Sequence, residues 1–514
     1  MSTSPAKPAS KVLNLLLRAL DGVERLGNKL PHPFWLFVIL SGVLALASWG
    51  LSAAGVSAVN PATDKTVAAK NLLSVDGVRM MVEDVVKNYT AFPPLGTILV
   101  VMLGVAVAER SGLLAAVLRS GVSKVSPRWV TFALAFTGMV SHVASDAAYV
   151  VLIPLGAMAF RAVGRSPILG IVVAFVSISA GYDASPLITP SDAILSGLTT
   201  AAAHTIDPAY VVTPLDNYFF SLASSFVLAA VITLVTEKVL ARRAEAMPVD
   251  EDAEQDDLGS LELSREERRG LRAALIALVV VVLALVLAVL PSGSPLRGED
   301  GSIVESPLLT SISIFLALAF LAAGWAYGKA AGTVTSSRDI PGFMAHGFKE
   351  MAPILVLFFA ISQFLAYFKW TGIGEITAIH GAGVLKSAGV SGPVILLGIL
   401  LVVTVINLIV TSGSAQWALV GPVFVPMLML LDIPPETTQA LYRIADSCTN
   451  AITPMSPYFV MALGFLQRYR RSAGIGSLLS MTIPLALTLL AVWTVLFFVF
   501  WVFGIPLGPG APVR

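Results

Sequence analysis

Residues 271–290 read LRAALIALVVVVLALVLAVL, twenty positions that carry one charge. A helix needs about 20 residues to cross the hydrocarbon core of a bilayer. No water reaches backbone amides there, so a run of this kind has to be helical. Eight more stretches read as spans: Pro33–Ala54, Phe92–Ala108, Pro167–Thr200, Asn217–Leu240, Pro307–Ala326, Met351–Phe368, Glu436–Leu466 and Leu478–Phe503. Only 13% of the 514 residues are charged, against about 25% in a soluble protein, and mean hydropathy is +0.83. The expected fold class is an all-α polytopic membrane protein with about nine transmembrane helices.

Two further apolar stretches, 129–160 and 393–431, are too long for one span. Each is interrupted midway by small polar residues without Lys or Arg: SHVASD in the first, TSGSAQ in the second. Each is either a pair of spans or a re-entrant hairpin. Irregular backbone at mid-membrane must line a cavity or be packed in protein, and such tips have the composition for it. The reading adopted is two re-entrant helical hairpins.

The hairpins belong to a repeat. SDAAYVVLIPLGAMA (Ser145–Ala159) aligns without gaps on GSAQWALVGPVFVPM (Gly413–Met427), placing Tyr149 over Trp417 and Pro154 over Pro422. Each copy then reaches an Ile-Thr-Pro, in DASPLITPSDAIL from Asp183 and DSCTNAITPMSPYF from Asp446. Positive charge sets orientation: the threading puts 24 of the 33 Lys and Arg on the cytoplasmic side and eight outside. The first hairpin then opens from the cytoplasm and the second from outside, so the repeat is inverted.

The expected organisation has four parts. Residues 1–32 form a cytoplasmic interfacial N-terminus, and 33–240 a first half with hairpin 129–160 and broken helix 167–200. Residues 241–270 form a charged cytoplasmic linker, and 271–514 a second half with hairpin 393–431 and broken helix 436–466. The C-terminus falls on the periplasmic side of a bacterial inner membrane. Inverted repeats with matching broken helices point to a secondary transporter with its site at the repeat interface.

Charges in these segments are costly, on the order of 2.5–3.5 kcal/mol each at the bilayer centre. Asp192, Arg443 and Asp446 lie within spans, and Asp146 and Asp183 at polar breaks. Arg443 and Asp446, three residues apart, share a helix face and read as an ion pair beside a break made by Pro454 and Pro457. Arg443 suits a carboxylate; Asp446 suits a cation, a proton or a substrate amine. Thr189 and Asp192 face the same cavity from the other break. Ser414 and Trp417 supply a hydroxyl and an aromatic face. Asn407 and Asn450 are candidate sodium ligands, and His142 sits near the first tip. A net charge of +1 gives no ground for nucleic-acid binding, and the single Cys448 rules out an internal disulfide. No organic cofactor is expected; a bound sodium ion is the one candidate.

With TSGSAQWALVGPVFVPM, YRIADSCTNAITPMSPYF, SDAAYVVLIPL and SAGYDASPLITPSDAILSG on the page, the chain resembles the AbgT family of p-aminobenzoyl-glutamate transporters across nearly its whole length. The resemblance implies nine transmembrane helices, two hairpins, a homodimer and an inward-facing basin. It also implies transport of p-aminobenzoyl-glutamate, with some members resembling sulfonamide exporters. Family positions carry over onto Asp192, Ser414, Trp417, Arg443, Asp446 and Pro454, and a sodium site onto Asn407. Coupling to a proton or sodium gradient is expected, and Arg443→Ala and Asp446→Ala are expected to abolish transport with folding intact.

Three other readings are open to the sequence. A dicarboxylate transporter of related hairpin architecture is the nearest. An intramembrane aspartyl protease would also use two membrane aspartates, and Tyr182–Asp183 resembles half its motif. Its partner would sit in Gly-x-Gly-Asp, whereas Asp446 follows Arg-Ile-Ala. A passive channel is the third.

Overall fold

The computed structural model describes residues 31–61, 64–123, 125–245, 247, 249–250, 262–298, 301–303 and 306–514. The interfacial helix expected before residue 31 and the acidic centre of the linker lie outside the described residues. Among the described residues seven helices are long and apolar enough to cross a bilayer: Pro33–Ala53, Pro93–Arg110, Tyr218–Ala244, Arg265–Val289, Ile312–Ala331, Asp339–Trp370 and Ile475–Phe503. Two more crossings are each assembled from two short helices. Pro167–Ser179 and Pro190–Ala203 form the first broken span, and Pro435–Cys448 and Pro457–Tyr469 the second. The first hairpin is Val130–Ser141 with Ala147–Ala162, and the second Gly392–Asn407 with Gly413–Met429.

Several helices start earlier than their apolar runs. The span expected from Leu271 begins at Arg265, because Ser264 and Glu267 form a capping box that satisfies its first amides. The one expected from Met351 begins at Asp339, whose carboxylate accepts from the Thr335 and Ser336 amides. Hydropathy stops at the first charge, whereas a helix end needs polar caps. The linker expected over 241–270 is shortened at both ends. The preceding helix passes through a π-helical turn at Thr236–Leu240 into Ala241–Glu245, and the next starts at Arg265. Two short helices without a counterpart in the hydropathy reading, Leu113–Val122 and Ile373–Ser387, each precede a hairpin. A small antiparallel pair, Ser57–Val59 with Thr66–Ala68, follows the first span.

Proline does not act here as the sequence led us to expect. Pro167, Pro190, Pro435 and Pro457 each open a half-helix, where a missing amide hydrogen costs nothing. Pro154, Pro353, Pro422, Pro426 and Pro484 lie inside continuous helices. In the second broken span the first half ends at Cys448 and passes through a tight turn, Thr449–Ala451. The break is thus under way before Pro454, and Pro457 restarts the helix.

The broken spans pair crosswise. Pro167–Ser179 packs on Pro457–Tyr469, and Pro190–Ala203 on Pro435–Cys448, as two antiparallel interrupted rods crossing at their breaks must. Each hairpin lays its second arm against one half of each rod: Ala147–Ala162 on Pro167–Ser179 and Pro457–Tyr469, Gly413–Met429 on Pro190–Ala203 and Pro435–Cys448. Every residue of Pro167–Ser179 and of Pro435–Cys448 is buried. That is how a helix with Glu436, Arg443 and Asp446 can sit at membrane depth. By contrast Arg265–Val289 exposes Leu275, Ile276, Val279, Leu283 and Leu287.

Gly156 and Gly170 let the first hairpin touch the first broken span backbone to backbone. A Cβ on Gly170 would stand 2.1 Å from the Gly156 carbonyl oxygen, a separation no side chain can hold. Gly170→Ala is therefore expected to cost about 1–3 kcal/mol through overpacking. The check is a lowered melting temperature of the detergent-purified protein; a melt equal to wild type would mean these helices are not closely docked.

Candidate functional site

Both tips and both breaks meet at one cavity of about 730 Å³. Ser145 and Asp146 reach it from the first tip, and Thr411, Ser412, Gly413 and Ser414 from the second. Tyr182, Asp183 and Pro190 come from the first break, and Asp446, Asn450 and Pro457 from the second. The wall continues to Glu109 and Glu350, whose chain neighbours are Arg110 and Lys349. Ser145 and Asp183 have φ of 46° and 65°, left-handed values that are uncommon outside glycine and are tolerated best by Asp and Asn.

Arg443 is 1% exposed, and its ion pairs differ from the sequence expectation. Its Nη2 lies 2.7 Å from Asp192 Oδ1 and its Nη1 3.8 Å from Asp183 Oδ1. Nε donates to Asn217 Oδ1 at 3.1 Å. Among the described residues both ion pairs of Arg443 within 4 Å cross to the first broken span. The guanidinium thus joins the two inverted rods instead of bridging one turn of its own helix to Asp446. Asp192 is held by local sequence. In Thr-Pro-Ser-Asp, Thr189 caps Pro190–Ala203, and Asp192 Oδ2 accepts from the Thr189 amide at 2.7 Å and hydroxyl at 2.8 Å.

Asp446 sits beneath the second tip. A Cβ at Gly413 would come within 2.6 Å of Asp446 Oδ2, so glycine is what allows the tip to cover that carboxylate. Asp446 Oδ1 is buried without a hydrogen-bond partner. Ser414 and Asn450 line the cavity beside it. Trp417 does not line it. Its indole Nε1 donates to Thr199 Oγ1 at 2.9 Å, and its ring lies 4.4 Å from that of Tyr442. It pins the second hairpin to the first broken span. Pro454 is half-buried just after Thr453, whose hydroxyl donates to Leu408 O at 2.8 Å. Cys448 is buried.

Asn407 occupies a cluster of oxygens. Its Nδ2 faces Asp446 O, Thr449 Oγ1 at 2.8 Å and Asn450 Oδ1 at 3.1 Å, while its Oδ1 is buried without a partner. Two amide hydrogens cannot serve three acceptors. With the amide turned over, four neutral oxygens converge, the hard donor set a sodium ion takes. His142 is buried, with Nε2 3.1 Å from Ile178 O and its ring edge-on to Tyr182. Sequence reasoning did not single out Asn217, Thr199 or Tyr442. Nothing in the sequence marks them: Asn217 and Thr199 are defined by partners in the other half of the chain, and Tyr442 by the Gly413 carbonyl and the Trp417 ring of the second hairpin.

The sequence and the fold both have known relatives. The model of the AbgT putative transporter family matches residues 18–514. Over 489 residues the chain is 38% identical to the p-aminobenzoyl-glutamate transport protein of Escherichia coli K12, covering 95% of each. It resembles the YdaH transporter of Alcanivorax borkumensis at 41% identity and a TM-score of 0.88, over 93% of this chain and 100% of that one. It also resembles MtrF of Neisseria gonorrhoeae, whose structure illuminates a class of antimetabolite efflux pumps. That match has 40% identity and a TM-score of 0.90, over 96% of this chain and 100% of the other.

The Trp417–Thr199 bond gives a prediction. Trp417→Phe and Thr199→Val are each expected to lower stability by about 1 kcal/mol, and the double variant by no more than the worse single. Thermal unfolding of the four proteins measures this cycle. Full additivity would show that the bond does not join hairpin to span.

Proposed function

The chain belongs to the AbgT putative transporter family, and from that membership we propose that it carries p-aminobenzoyl-glutamate and related folate catabolites across the bacterial inner membrane. The observation that carries this reading is the convergence of two tips and two breaks on one cavity of about 730 Å³, a volume suited to a drug-sized solute. Two helix starts at that cavity, Gly413–Met429 and Pro457–Tyr469, have no side-chain cap. Their free amides and positive dipole ends favour a solute carboxylate.

In this mechanism Ser414 and Asp446 touch the solute, Asp192 positions Arg443, Trp417 fixes the second hairpin, and Pro454 shapes the break. A sodium ion held by Asn407, Thr449, Asn450 and the Asp446 carbonyl would supply positive charge beside the site. A proton or sodium gradient drives the cycle. The unit bearing the hairpins and broken spans moves against the remaining helices, which form a homodimer with its N-termini in the cytoplasm. Likeness to MtrF favours the outward direction as well, with sulfonamide antimetabolites leaving by the same cavity.

Proteoliposomes loaded with each gradient separately test this. Wild type is expected to accumulate radiolabelled p-aminobenzoyl-glutamate against its gradient, and Asp446→Asn to abolish accumulation while still eluting as a dimer. Arg443→Ala should also abolish it. Contrary to the sequence expectation, it should cost about 3–5 kcal/mol of stability too, since it leaves two buried carboxylates without their counter-charge. Accumulation of succinate unaffected by excess p-aminobenzoyl-glutamate would favour the dicarboxylate reading instead.

A further inference from the structure

The cavity has an unbalanced charge. Glu109, Asp146, Asp183, Glu350 and Asp446 line it, and no described Lys or Arg does. A solute with two carboxylates would meet repulsion from every charged side chain on the wall. The nearest guanidinium, Arg443, stands behind Asp183, and its two terminal nitrogens are unequally engaged. Nη2 is bonded to Asp192, whereas Nη1 is buried with no hydrogen bond, facing Asp183 at 3.8 Å.

The two aspartates differ in the same way. Asp192 is complete: one oxygen accepts from Thr189, the other lies against Arg443. Asp183 has both oxygens buried and neither hydrogen-bonded. It is held on the cavity wall by a left-handed backbone, a conformation that carries strain and is kept where the surroundings enforce it. A buried carboxylate left so incomplete beside an incomplete guanidinium is a poor structural tie, since buried pairs stabilise only when their remaining lone pairs and hydrogens are satisfied.

We infer that Asp183 is the site's exchangeable counter-carboxylate, whose protonation releases Arg443 Nη1 to a carboxylate of the solute. When ionised, Asp183 holds Nη1 and adds its charge to the acidic wall. A proton arriving from cavity water adds to one Asp183 oxygen, forming that O–H bond alone, and the solute carboxylate takes the vacated position. On release the proton returns to water and Asp183 pairs with Arg443 again. Solute anion and proton thus bind together. The groups facing Asp183 are Arg443 and Asp446 from the second broken span, Asp192 from the far half of its own, and Tyr182 beside it. Tyr442 and His142 stand next to these, and Asp146 faces them from the first tip. Asp192 cannot play this part, because its oxygens are already occupied. A proton on Asp446 would free no guanidinium. The inference rests on the proposed function only in requiring an anionic solute.

Calorimetric binding to the purified full-length protein tests it, run across about pH 6–8 in two buffers of different ionisation heat, with p-aminobenzoyl-glutamate and, separately, succinate. Wild type is expected to take up about one proton per ligand, with affinity falling about tenfold per pH unit where Asp183 is ionised. Asp183→Asn is expected to bind with little pH dependence, to take up no proton, and at the alkaline end to match or exceed wild type. A merely structural Asp183 would leave the proton count unchanged. Wild-type binding without proton uptake would overturn the inference whether or not the variant folds, and so would an Asp183→Asn protein that still takes up a proton. Proton-linked binding of succinate alone would remove the substrate assignment and keep this one.

Discussion

Backbone polar groups released inside a membrane cannot be left to lipid, and the core of this protein is arranged around that constraint. The two breaks and two tips satisfy one another. His142 at the first tip lies on Ile178 O, and Ser447 donates to Tyr182 O, which ties break to break. Asn407 donates to Asp446 O, Thr453 to Leu408 O, and Tyr442 to Gly413 O. Each interruption therefore needs the others in place, so the hairpins and broken spans form one unit whose centre is polar and whose outside is apolar.

That interlocking explains where charge can be kept. Arg443 is shared between two aspartates of the opposite rod and an asparagine beyond it. It reaches mid-membrane because a fully buried helix carries it there. One of its nitrogens, Nη1, faces Asp183 without a hydrogen bond, and both oxygens of that carboxylate lack one too.

Much of this was legible beforehand. The hairpins followed from apolar stretches too long for one span and from tips made of small polar residues. The capping boxes at Ser264–Glu267 and Thr189–Asp192 are local patterns. Among the helices that hydropathy missed, Leu113–Val122 and Ile373–Ser387 are too short to register as spans. Proline misled for a physical reason: the residue has one effect at a first turn and another in an interior, and sequence alone does not say which position it holds. Pairing Arg443 with Asp446 misled for a related one, since spacing on a helix shows which residues are neighbours and not which partner wins.

By itself the sequence determined the class of fold, the order of hairpin, broken rod and final span in each half, and the polar residues that lipid would not accept. These follow from length, hydropathy and local turn chemistry, all short-range properties of the chain. Only the tertiary structure decided that Arg443 belongs to Asp192 and Asp183, and that Trp417 braces a hairpin and does not line the cavity. Those partners lie far apart in the chain, and what brings them together is the crossing of two antiparallel interrupted rods.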